Sequence, residues 1–221
     1  MKLYGYWRST AAYRVRIALA LKELAHDNVS VHLVKDGGEQ FKEPYVALNP
    51  AKLVPTLVDE LNGEEVVINQ SMAILEYLED KQPDNYPLLP RDIVKKAQVR
   101  AMALDIGCDI HPLNNLRILK YLAGELGVAD EQKSQWYAHW IQTGFAAIEA
   151  KLTPNDGQSA GKYCFGDEVT MADVFLIPQL YNAHRFNIDI SAFPRICQVE
   201  KNCNALPAFI AAAPESQRDA D

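Results

Sequence analysis

A change of periodicity near residue 82 divides this 221-residue chain and limits the folds open to it. Before that point, strand-like and helical segments alternate: Lys2 to Tyr6, a helix from Ala11 to Leu24, Ser30 to Val34, a short helix near Phe41 to Leu48, Thr56 to Val58, Glu65 to Ile68, and a helix from Ser71 to Asp80. The order βαβαββα predicts a small mixed sheet. A crossover helix between the first two strands makes them parallel, and the turn Asp59-Glu60-Leu61-Asn62-Gly63 pairs the third and fourth as a hairpin. Beyond the proline-rich stretch Gln82 to Pro90, strand signals cease and apolar residues recur at helical spacing from Ile93 to about Ala213. The expected organisation is an α/β domain over residues 1–82, a linker over 83–87 and an all-α bundle over 88–215, with Pro214 to Asp221 a frayed polar tail.

Hydrophobic residues make up 48% of the chain, ample for a real core. A net charge of −7 without any Lys/Arg block excludes nucleic acid or an anionic membrane surface as a general partner, so any positive site is local. No apolar run approaches the roughly 20 residues that span a bilayer. The segment Met1 to Tyr6 is too short and too polar for a signal peptide, and a cytoplasmic location is expected. Cys108, Cys164, Cys197 and Cys203 form no C-x-x-C pair and have no metal-ligand companions at regular spacing, so free thiols and no metal are expected.

Breaks in the second half locate its helices. Pro112 interrupts the run Ile93 to Tyr121 and predicts a kink or boundary beside His111. Gly124 to Asp130 separates that run from a helix over Gln132 to Lys151. Thr170 and Asp173 have the spacing of a capping box, with Val169 placed to staple onto Val174.

Three junctions in the first half carry chemistry. In Trp7-Arg8-Ser9-Thr10-Ala11-Ala12-Tyr13-Arg14-Val15-Arg16-Ile17, Ser9 or Thr10 falls at the N-cap of the first helix among three arginines, where unpaired backbone N–H groups attract an anion. The bland alternative is a hydroxyl that only caps its helix. At Val54-Pro55 the proline either begins an edge strand or makes a cis bond that exposes the backbone of Val54. Gln70-Ser71 opens the next helix, with Ser71 read as a second N-cap poised to receive a carboxylate.

The segments Arg8 to Leu19, Leu48-Asn49-Pro50, Val54-Pro55-Thr56-Leu57, Gln70 to Ile74, Asp105 to Asn115, Thr170 to Asp173 and Pro178-Gln179 together resemble the zeta-class glutathione transferases, in their maleylacetoacetate and maleylpyruvate isomerase branch. The resemblance implies a thioredoxin-like N-terminal domain, a helical C-terminal domain and a homodimer. It also implies glutathione as cofactor and a small anionic dicarboxylate as substrate, isomerised by reversible thiolate addition, rotation and elimination. Ser9 matches the family's thiolate-contacting serine, and Thr10 preserves a second hydroxyl. Ala11 stands where the zeta signature commonly has cysteine, which puts side activities of that cysteine in doubt. The matching positions assign catalysis to Ser9, Thr10 and Arg8. They assign glutathione binding to Gln40, Val54, Pro55, Gln70, Ser71, His111 and Asn115, and substrate binding to Arg8, His111 and Arg185. A transferase conjugating small electrophiles, or a non-catalytic interaction protein on the same fold, are the competing readings.

Overall fold

The computed structural model describes residues 1–153 and 161–220. Residues 154–160 and Asp221, which the helical run and the polar tail include, lie outside the described residues. The chain forms two compact units, Met1–Leu88 with Leu206–Asp221, and Leu89–Ala205.

The first unit is built on β1 (Lys2–Gly5), α1 (Thr10–Leu21), β2 (Asp27–Ser30), α2 (Tyr45–Leu48), β3 (Thr56–Leu61), β4 (Glu64–Asn69) and α3 (Ser71–Lys81). The sheet order is β2-β1-β3-β4, with β1 parallel to β2 and antiparallel to β3, and β3 antiparallel to β4. This is the expected mixed sheet. The second strand ends earlier than the sequence suggests, because Nδ1 of His32 accepts the N–H groups of Val34 at 3.2 Å and Lys35 at 2.8 Å and turns the backbone into a loop.

Helix α1 is buried far beyond the stripe that its apolar residues predict: all but Ala11 and Ala20 are enclosed, including Arg14 and Arg16. The reason is long-range. Besides α3, it packs against α9 (Pro207–Ala212), which returns to the first unit although the sequence places it at the end of the helical half. Nε of Arg16 donates to the carbonyl of Ala212 and Nη2 to that of Trp7, both at 2.9 Å. Gly5 lets α1 lie close to β1, since a Cβ there would stand 3.1 Å from that of Ala12.

The described part of the polar tail does not fray. Ser216 Oγ donates to Ile210 O, Gln217 Nε2 donates to Ala211 O and Ala213 O, and Ser30 Oγ reaches Asp219 at 2.7 Å. The proline-rich stretch is likewise anchored. The fully buried ammonium of Lys22 donates to the carbonyls of Gln82, Asn85 and Tyr86 and pairs with Glu79 at 2.6 Å.

The second unit contains α4 (Ile93–Leu104), α5 (Leu116–Gly124), α6 (Asp130–Leu152), α7 (Met171–Arg185) and α8 (Pro194–Asn204). α4 packs on α7, and α6 on α8. The break expected at Pro112 begins earlier, in a wide helical turn over Asp105–Ile110, after which Pro112–Asn114 tighten into a 3-10 turn. A proline in a helix clashes with the carbonyl four residues back, and the wider turn moves that carbonyl aside. The N–H of His111 accordingly donates to Ile106 O, five residues earlier, at 2.9 Å. α6 can approach this turn because residue 144 is glycine: a Cβ there would lie 2.2 Å from Cδ1 of Ile110. The predicted cap of α7 is present. Buried Asp173 accepts the N–H of Thr170 at 2.8 Å and, from outside the helix, that of Cys164 at 2.8 Å. No described helix is long and apolar enough to cross a membrane.

Candidate active site

At the start of α1 the structure separates the two hydroxyls. Ser9 is the N-cap, with φ −69° and ψ 116°, and its Oγ accepts the N–H of Ala12 at 3.2 Å. Thr10 is the first helical residue and is buried. The Ser9 hydroxyl is half-buried, and its O–H remains a donor while its oxygen serves as the cap. The guanidinium of Arg8 lies 4.1 Å from the centroid of the Trp7 ring, within cation–π range. Of the three arginines the sequence gathers here, Arg16 reaches the junction only at its backbone, where its guanidinium is committed to the carbonyls of Trp7 and Ala212.

Arg14 points elsewhere. Its Nη1 donates to Oγ of Ser71 at 3.3 Å, tying the first turn of α3 to the middle of α1. Ser71 is buried and is the first residue of α3; the N-cap is Gln70, at φ 74° and ψ 121°. The expectation that Ser71 caps the helix is thereby corrected. An N-cap needs non-helical dihedrals, and the abrupt reversal from β4 into α3 places them on residue 70. That positive φ is costly for a residue with a Cβ, and such strain concentrates at ligand clamps.

The Val54–Pro55 bond is cis, and among the described residues no group hydrogen-bonds to the backbone of Val54. A buried polar network holds this loop. Asn49 Nδ2 and the Tyr45 hydroxyl donate to Leu53 O, Asn49 Oδ1 accepts the N–H of Ala51, and Thr56 Oγ1 donates to Asn69 at 2.6 Å. Burial pushes the Tyr45 phenol above its usual range, so it is a donor at any physiological pH. Asn49, Tyr45 and Asn69 have no role assigned from the sequence; Asn49 enters there only within the segment Leu48-Asn49-Pro50 of the family resemblance. Gln40 is buried with Nε2 on Leu33 O at 3.5 Å, and its Oε1 has no hydrogen-bond partner among the described residues. A buried acceptor left open is exceptional and suits a ligand N–H.

Within the helical unit, His111 follows the wide turn and is half-buried. Asn115 caps α5, its Oδ1 accepting the N–H of Arg117 at 3.0 Å, so its amide N–H₂ is what it can offer a ligand. Arg185 ends α7, where Asn187 in the left-handed region at φ 53° closes the helix and Ile188 N–H bonds to Ala183 O at 2.9 Å. Its guanidinium lies 5.2 Å from the centroid of the Phe186 ring and makes no ion pair or hydrogen bond among the described residues. The structure links Arg185 to the His111 segment through Tyr137, a residue the sequence did not single out. Tyr137 stacks on Phe186 at 3.9 Å, and its carbonyl accepts from Asn114 Nδ2 at 3.2 Å. Burial drives its phenol well above the usual range, opposed by the charge of Arg185.

The first unit thus offers two helix N-termini, the second tied to the middle of α1 by Arg14, with an open backbone segment at Val54 and an open acceptor on Gln40. Helix starts receive anions through their N–H groups and the helix dipole. The set suits a peptide-like molecule carrying carboxylates and an ionised group at Ser9.

The profile of "Glutathione S-transferase, N-terminal domain" matches residues 8–81, and that of the C-terminal domain residues 135–196. The chain belongs to the glutathione S-transferase family. It is 51% identical to a probable maleylacetoacetate isomerase of Vibrio cholerae, over 99% of this chain and 97% of that protein. A solved holo maleylpyruvate isomerase, described as a bacterial zeta-class glutathione S-transferase, superposes with a TM-score of 0.92 at 43% identity, covering 100% of both chains. A maleylacetoacetate isomerase of Anaeromyxobacter dehalogenans 2CP-1, solved with bound dicarboxyethyl glutathione and citrate in its active site, gives a TM-score of 0.85 at 40% identity, covering 100% of this chain and 93% of that one. These likenesses place this glutathione S-transferase in the zeta-class isomerase branch, with a thioredoxin-like unit and a helical unit.

Proposed function

We propose that the chain is a glutathione-dependent cis–trans isomerase acting on an unsaturated diketo dicarboxylic acid from aromatic ring cleavage, converting maleylacetoacetate to fumarylacetoacetate or maleylpyruvate to fumarylpyruvate. The observation that supports this reading is the bond from buried Arg14 of α1 to Ser71 at the start of α3, in the same unit as the cis Val54–Pro55 bond with its open Val54 backbone. Bound glutathione would supply a thiolate for reversible addition to the cis double bond.

In this reading residues 1–82 bind glutathione and residues 88–215 receive the substrate. Val54, beside Pro55, pairs with the tripeptide backbone. Gln70 and Ser71 take a carboxylate at the start of α3, and the Gln40 Oε1 takes an N–H. The His111 imidazole and the Asn115 amide N–H₂ are assigned to the same ligand. The Ser9 hydroxyl, supported by Thr10 and the first-turn N–H groups, favours the ionised sulfur, whose free thiol has a pKa of roughly 8.5 by analogy with cysteine. Arg8, His111 and Arg185 bind and orient the substrate, and guanidinium groups stabilise negative charge that develops on it. The protein works as a homodimer in the cytoplasm.

Ultraviolet monitoring of both substrates with catalytic glutathione tests the proposal. Isomerisation leaves total free thiol unchanged after many turnovers. Thiol loss in step with substrate consumption would instead identify a conjugating transferase, and failure to bind immobilised glutathione an interaction protein. Sedimentation velocity reads the oligomeric state.

A further inference from the structure

Arg185 is exposed and makes no ion pair or hydrogen bond among the described residues, yet both of its neighbours in sequence are fixed. His184 Nε2 contacts Glu200 at 2.7 Å, and Phe186 lies face to face with Tyr137, ring centroids 3.9 Å apart and planes 21° apart. The guanidinium stands 5.2 Å from the same Phe186 ring, within cation–π range. Tyr137 is therefore the wall against which the platform of Arg185 rests. The carbonyl of Tyr137 also holds Asn114, three residues after His111. One residue of α6 sets the spacing of two groups assigned to the substrate.

We infer that Tyr137 is the positioning residue for Arg185, acting through Phe186 to hold the guanidinium ready for the substrate carboxylate that a monocarboxylate analogue lacks. This rests on the isomerase reading above. The ring does the positioning: the Tyr137 hydroxyl is buried and has no hydrogen-bond partner among the described residues, so removing it breaks no bond to them. A flexible arginine must be ordered when it binds, and a ring that restricts it beforehand lowers that cost.

The test compares the dicarboxylate substrate with maleylacetone, which has a single carboxylate. Tyr137→Leu should raise KM for the dicarboxylate about tenfold, the scale of weakening one charge-assisted hydrogen bond, while KM for maleylacetone and for glutathione stay unchanged. Tyr137→Phe should behave as the parent. Phe186→Leu, which alters a partly exposed ring and avoids disturbing the core, should reproduce the Tyr137→Leu signature. In an Arg185→Met background, Tyr137→Leu should add nothing further. The inference is overturned if Phe186→Leu and Tyr137→Leu leave the dicarboxylate KM unchanged, if they weaken both substrates and glutathione alike, or if their full effect persists without Arg185. A parent protein that isomerises neither substrate would remove the underlying reading instead, an outcome separable from all of these.

Discussion

Lys22, at the end of α1, and Glu79, in the last turns of α3, form a buried ion pair at 2.6 Å, and the same ammonium gathers three carbonyls of the segment leaving α3. Asn85 Nδ2 donates back to Lys22 O, closing the loop of contacts. Lys22→Ala withdraws the cation from a buried carboxylate and from three carbonyls at once. The expected loss is about 3–5 kcal/mol, the usual cost of removing one partner of a buried pair. Replacing both residues together, Lys22→Met with Glu79→Leu, should cost less than the sum of the single changes. Equilibrium urea unfolding of the singles and the double reads the difference.

Ser71→Ala should raise KM for glutathione about tenfold by removing one polar contact to a carboxylate, with kcat nearly unchanged. Arg14→Met should do the same and also lower stability, because Arg14 is buried between α1 and α3. Initial-rate kinetics at varied glutathione, alongside thermal unfolding, separate the two consequences.

Ser9 caps α1 and, in the proposed reading, also holds the sulfur, and two substitutions divide these tasks. Ser9→Ala should lose about 1 kcal/mol of stability, whereas Ser9→Gly should lose only a few tenths. Both should reduce kcat strongly and diminish the ultraviolet thiolate absorbance of the glutathione complex. A Ser9→Gly variant with parental kcat would transfer the thiolate to Thr10 or to the backbone N–H groups.

Asp59 gives a prediction in pH. Burial pushes its carboxyl up, but hydrogen bonds from Lys81, Tyr77 and the backbone of Glu60, with the Lys81 charge, outweigh burial and hold it below the usual carboxylate range. A carboxyl depressed in the folded state stabilises the fold above its unfolded pKa of about 3.9. That contribution should disappear as pH falls from there through the lower folded value. Thermal unfolding between neutral and acid pH should show the parent more stable than Asp59→Asn at neutrality, with the two curves converging in acid.

The elements of the first unit were legible because each has a local cause: alternation for β3 and β4, a hydroxyl before the helix for α1, proline and glycine at the turns. A hydroxyl cap at Ser9 or Thr10 was legible for the same reason, whereas at Val54-Pro55 the sequence left an edge strand and a cis bond open, and the structure has the cis bond. Long-range dependence was not. Nothing near Arg14 or Arg16 tells that one reaches Ser71 and the other Ala212, since the partners lie 57 and 196 residues away. The second strand was misplaced because an edge strand pairs on one side only and leaves a weak pattern, while the histidine that ends it acts through its side chain. Tyr137 looked like one apolar residue among many on a long helix. Its importance comes from Phe186 and Asn114, which only the folded helical unit brings against it.

The return of α9 to α1 has a consequence for biogenesis. Segments that finish the glutathione-side unit are made after the whole helical unit, so the ribosome releases the first 88 residues long before their packing partner exists. Until Phe209 and Ala212 emerge, Tyr13 and Arg16 wait without the carbonyls they will bind. A protein truncated after Ala205 would keep the Ser9 junction in sequence while leaving the face of α1 that α9 covers without its packing partner.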